Sequence, residues 1–95
     1  MTLKVLIERH VQRGKEGYLM ELLNNLRTEL IEQPGYVSGE ILQSQEDKST
    51  IFALSTWQSE LDWQSWKGDP RRLEVEAVIE SILTEPSKLT VATSF

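Results

Sequence analysis

The side chains best suited to chemistry in this sequence are a single histidine, a set of aromatic residues and two arginines that follow a proline. His10 is the one side chain whose unperturbed pKa lies near neutrality, which makes it the candidate base; a partly exposed, hydrogen-bonded histidine is the plainer reading. Trp57, Trp63 and Trp66 can line a pocket for an aromatic ligand. Trp63 and Trp66 are three residues apart and share one helix face, so that one of them can pack on a sheet while Trp66 meets a ligand. Trp57, at a strand end, reads as a core plug. Tyr36 can donate from its phenol or pack in a seam between subunits. Arg71 and Arg72 stand near a helix start, a poor place for cations in the helix dipole, which fits either an anion held there or a solvated surface. The spacing of Glu74, Glu76 and Glu80 fits a solvated helix face better than a catalytic acid pair.

Other chemistries lack their residues. Without cysteine there are no disulfides, thiolate metal sites or cysteine nucleophiles, and one histidine is too few for a His-rich metal cage. Neither the Gly-rich phosphate loops nor a His-Glu-x-x-His motif occurs. No metal is expected. Ten Lys and Arg against fifteen Asp and Glu give a net charge of −5 and a pI near 4.8. This balance counts against binding nucleic acid or an anionic membrane. No apolar run approaches the roughly 20 residues of a membrane span. Glu8, Arg9 and His10 arrive before any signal-peptide h-region can form, so the expected location is cytoplasmic.

The elements that must position these residues follow from periodicity. Ninety-five residues suit one domain over 1–95. Residues 2–11 alternate, with Leu3, Val5, Ile7 and Val11 on one parity, which is a strand. Leu19, Leu22, Leu23, Leu26 and Leu30 recur at helical spacing over residues 15–32. Gln33-Pro34-Gly35 stops that helix. Residues 36–45 alternate again, with Gly39 hinting at a bulge or a close backbone approach. Residues 50–57 are rich in β-branched and aromatic side chains and complete a hairpin. Ser59 caps a short helix that ends at Gly68, with Asp62 in the third position of a capping box. Asp69-Pro70 starts another helix, buried through Val75, Val78, Ile79 and Ile82. Beyond Glu85-Pro86-Ser87, residues 89–95 read as the last strand.

The order β-α-β-β-α-β, with the second helix split, predicts an α+β ferredoxin-like fold: a four-stranded antiparallel sheet with helices on one face. The odd positions, such as Val5, Ile7, Val37, Ile41, Leu89 and Val91, can face the helices. The even positions Leu6, Tyr36, Leu42, Phe52, Leu54 and Ala92 are also largely apolar. An exposed apolar face of this kind marks an interface, and it predicts a homodimer joined sheet to sheet.

The arrangement resembles the antibiotic biosynthesis monooxygenase family of the dimeric α/β-barrel superfamily. The similarity runs through Arg13-Gly14-Lys15 at the helix entry, Gln33-Pro34-Gly35-Tyr36, Trp57, the stretch from Ser59 to Trp66, and Asp69-Pro70. It implies a dimer with a cleft in each subunit between helices and sheet. In that family, known activities oxidise polycyclic phenols with molecular oxygen and no cofactor, and a related branch degrades haem. Trp66 matches the tryptophan of the haem branch. Glu76 stands near that branch's histidine position and Glu8 near its strand-one asparagine, so haem degradation is not expected. Arg71 follows Pro70, where the monooxygenase pattern commonly has histidine; a guanidinium can steady an anion but cannot act as a base.

Two functions follow. One is a cofactor-independent monooxygenase for a small aromatic or quinol-type molecule, with His10 as base and Trp66, Tyr36, Trp63 and Arg71 about the ligand. The other is a homodimeric small-molecule-binding or scaffold domain without chemistry of its own. RNA-recognition domains share the fold plan, but their central strand carries stacked aromatics and a basic residue, whereas Ile51-Phe52-Ala53-Leu54 supplies one aromatic and no charge.

Overall fold

The structure, a computed structural model, describes residues 2–95. Its elements are β1 (Leu3–His10), α1 (Glu16–Leu30), β2 (Tyr36–Gln43), β3 (Thr50–Trp57), α2 (Glu60–Lys67), α3 (Pro70–Ser81) and β4 (Lys88–Thr93). The strands form one antiparallel sheet in the order β2-β3-β1-β4. This is the split-βαβ plan, with β1 and β3 in the centre.

Local chemistry sets the boundaries. The α1 helix closes two residues before the predicted end because the chain tightens there: Glu32 N–H donates to the Glu29 carbonyl and Gln33 N–H to that of Leu30, a three-residue spacing. Gly35 then takes a φ of +81°, and a Cβ there would collide with the Asp62 carboxyl. Strand β2 stops at Gln43 because Ser44 Oγ accepts from the N–H groups of Glu46 and Asp47, turning the chain. Ser59 Oγ accepts from Asp62 N–H at 3.2 Å, and Asp69 accepts from Arg71 N–H at 2.8 Å ahead of Pro70. Both caps are those the sequence predicts.

Leu19, Leu22, Leu23 and Leu26 of α1 are buried in one core with Leu3 and Val5, all three tryptophans, Ile51 and Ile79. Register carries the helix side across the sheet: Leu3 faces Trp57, Val5 faces Ser55, Ile7 faces Ala53 and Arg9 faces Ile51. Strand β2 departs from the expected parity. Tyr36 opposes Trp57 while Ser38 opposes Thr56, which leaves Val37 as an extra residue. The bulge turns Tyr36 inward and Val37 out to solvent, the reverse of simple alternation. Leu89 and Val91 have the helix-side parity yet stay exposed, since β4 is an edge strand. On the outer face Leu6 opposes Leu54 and Leu42 opposes Phe52. Among the described residues no helix is long and apolar enough to cross a membrane.

Candidate functional site

A cavity of about 80 Å³ lies between the helices and the sheet. Its floor is Ile7 and Arg9 of β1, Ala53 and Ser55 of β3, and Gly39 and Ile41 of β2; over it stand Leu23, Leu26 and Leu30 of α1, Trp63 and Trp66 of α2, and Arg72 and Glu76 of α3. Tyr36 closes one side, edge-on to Trp57 at 5.6 Å between ring centres, and Trp57 in turn packs on Trp63 at 5.8 Å. The Tyr36 hydroxyl lies where only a glycine leaves room, because a Cβ on Gly39 would stand 2.6 Å from it. The bulge and that glycine together bring the tyrosine to the cavity.

Within these apolar walls sits an ionic cluster. Arg9 is 1% exposed, and its Nη2 donates to Glu76 Oε1 at 2.5 Å. Arg72 approaches the other oxygen of Glu76 at 3.8 Å, lies 5.4 Å over the Trp63 ring, and donates to the Lys67 carbonyl. Burial pushes the Arg72 guanidinium below its ordinary value; Glu76 opposes this and the charge of Arg9 adds to it. Two cations thus share one carboxylate in a site largely closed to water, where charge counts for more than at the surface. Among the described residues no three His, Cys, Asp or Glu side chains group as a metal site.

The residues singled out in the sequence divide between two places. Trp63, Trp66 and Tyr36 line the cavity together. Arg71 does not; it reaches along the surface to Glu29 at 2.6 Å and Asp69 at 3.0 Å, and Arg72 occupies the cavity wall instead. His10 is not in the lining either. It pairs with Glu8 at 2.7 Å and Glu85 at 3.2 Å, and its Nδ1 lies 3.0 Å from Thr50 Oγ1, on the parity opposite to Arg9. Arg9 had no role in the sequence analysis, and Glu76, expected there on a solvated helix face, instead enters the cavity as its partner. The signal for Arg9 was its phase, an arginine in step with Leu3, Val5 and Ile7 on the buried side of a strand. Glu76 carried no comparable mark among its neighbouring glutamates.

A family model described as antibiotic biosynthesis monooxygenase matches residues 2–78. A conserved protein from Methanosarcina mazei Go1 superposes with a TM-score of 0.93 at 16% identity, over 97% of this chain and 91% of that one. For Rv0793 from Mycobacterium tuberculosis the TM-score is 0.91 at 19% identity, over 100% and 96%. SnoaB from Streptomyces nogalater, a cofactor-independent oxygenase, gives 0.88 at 14% identity, over 99% and 93%. At such identities the likeness is one of fold. No curated protein matches the chain in sequence.

Proposed function

The chain belongs to the antibiotic biosynthesis monooxygenase family, and from that premise we propose that its cavity oxidises a small aromatic, quinol-type molecule with molecular oxygen and no cofactor. The observation that carries this reading is the combination of aromatic walls with a buried guanidinium. An electron-rich ring reduces oxygen far more readily as an anion, so a protein without a cofactor has to favour the ionised ring and exclude water. Arg9 supplies a fixed positive charge on the cavity floor, preorganised by Glu76, and Trp66, Trp63 and Tyr36 supply flat apolar surface. For an anthrone the net reaction turns the activated ring CH₂ into C=O with one oxygen atom, and the second leaves as water with the two hydrogens; for a hydroquinone, one oxygen atom enters at a ring C–H to give the hydroxyquinone, and the second again leaves as water. The likeness to SnoaB lends support, through fold alone.

A second reading, a binding module of the same fold, draws on the cavity lining, which contains no histidine. Oxygen uptake separates the two. With a panel of anthrones and hydroquinones, wild type is expected to consume oxygen; Trp66→Ala should lose on the order of tenfold in kcat/KM, and His10→Ala should stay within about twofold. A silent wild type on every substrate favours the binding module. A collapse in His10→Ala alone would return the base to the outer face of the sheet.

The proposed functional unit is a homodimer in which the outer faces, with Leu6, Leu42, Phe52 and Leu54, meet sheet to sheet. Two stacked sheets at ordinary spacing would cover this apolar surface and leave each cavity on its own helix side.

A further inference from the structure

Three buried donors on two residues of the cavity lining find no acceptor among the described residues: Nε and Nη1 of Arg9 and Nε1 of Trp63. They belong to side chains that are 1% and 2% exposed, one rising from the sheet floor and the other hanging from α2. An unpaired buried donor costs about 1–3 kcal/mol, and more when charged, so native cores rarely keep several around one opening. The charges on the lining are also unbalanced. Arg9, Arg27 and Arg72 face only Glu40 and Glu76, one positive charge in excess. Burial pushes the Arg72 guanidinium down against the pull of Glu76, and the nearby charge of Arg9 adds to it.

From these placements we infer that the cavity takes an aromatic carboxylate, whose oxygens accept from Arg9 and Trp63 while its ring lies among Trp66, Tyr36 and Trp63. A carboxylate brings two oxygens with about four acceptor positions, enough for three unmet donors, whereas an ionised phenol brings one oxygen. Its single negative charge brings the lining to neutrality. The flat apolar remainder suits walls of tryptophan, tyrosine and leucine. This inference deepens the oxygenase reading, on which the description of the carboxylate as a substrate rests, and in it Arg9 holds the carboxylate while the ring charge of that reading falls to Arg72 of the same lining; the binding itself does not depend on turnover.

Calorimetric titration of the whole chain at about pH 8 with benzoate, the neutral benzamide and 4-nitrophenolate tests it, since at that pH the first is a carboxylate and the last an ionised phenol. Benzoate is expected to bind on the order of tenfold tighter than either of the others. Arg9→Gln should abolish that preference, and Trp63→Phe, which keeps an aromatic wall but removes the donor, should reduce it severalfold. Circular dichroism checks the fold of each variant; if Arg9→Gln does not fold, Arg9→Lys and Trp63→Phe carry the test, the lysine variant keeping the charge but losing part of the preference. Absent benzoate binding, benzamide or 4-nitrophenolate bound as tightly as benzoate, or a preference intact in the folded variants would overturn the inference. Benzoate preference without any oxygen uptake would instead leave it standing and remove the oxygenase, and turnover of neutral quinols without carboxylate preference would do the reverse.

Discussion

Arg9 and His10 are neighbours in sequence on opposite sides of the sheet, because successive side chains of a strand point opposite ways. The side chain with the most familiar proton chemistry therefore lies outside the cavity, and the one with a fixed charge lies within it. Tyr36 depends on an equally fine detail. In Gly39→Ala the new methyl would meet the Tyr36 hydroxyl, so the ring must swing aside at a cost of about 1–3 kcal/mol, typical of overpacking. Denaturant unfolding should show that loss with the fold retained, while oxygen uptake or benzoate affinity falls further than stability alone explains. Trp63 and Trp66 were legible in sequence because helical spacing fixes their face. Tyr36 was legible as a candidate, but its side of the sheet was not, since one extra residue at Val37 reverses the alternation that parity counting relies on.

The helices that roof the cavity are set by their ends. Ser59 and Asp69 were readable as caps because a short acceptor before a helix has few other uses, and the structure shows both in that role. What the sequence could not give was the path of the arginines beyond the α3 cap: Arg71 turns back to Asp69, and Arg72 turns inward to Glu76. The Asp69 cap titrates. Its carboxyl is held below the ordinary 3.8, first by the Arg71 side chain and then by the Arg71 backbone N–H. Asp47 in the β2–β3 turn is held down by Ser49 and Thr50. As pH falls the unfolded chain takes up these protons before the folded one, so the stabilisation is complete above the ordinary value and drains away as pH drops through the lowered ones. Thermal melts from neutral into acid should show Tm falling below about pH 4, and Asp69→Asn, which keeps the capping oxygen, should flatten that fall.

At the scale of the molecule the element order was enough to give the split-βαβ sheet, because alternation, breakers and caps all agree with it. The apolar outer face was also visible as a count of side chains, although only register shows that Leu6 and Leu54 are directly paired there. Placing a charge on that face tests the proposed dimer. Phe52→Glu is expected to give a monomer by light scattering where wild type gives a dimer, with helix content unchanged; a wild-type monomer at micromolar concentration would remove the dimer. The strand that divides these two surfaces works like a reading frame. Dropping one residue from the middle of β1 would deliver an imidazole to the pocket and a guanidinium to the outer face, corrupting both at once, whereas dropping two would restore the phase while sliding one half of the strand roughly 6–7 Å along its neighbours. Odd length changes in this segment should therefore exchange the two faces, and even ones should keep them.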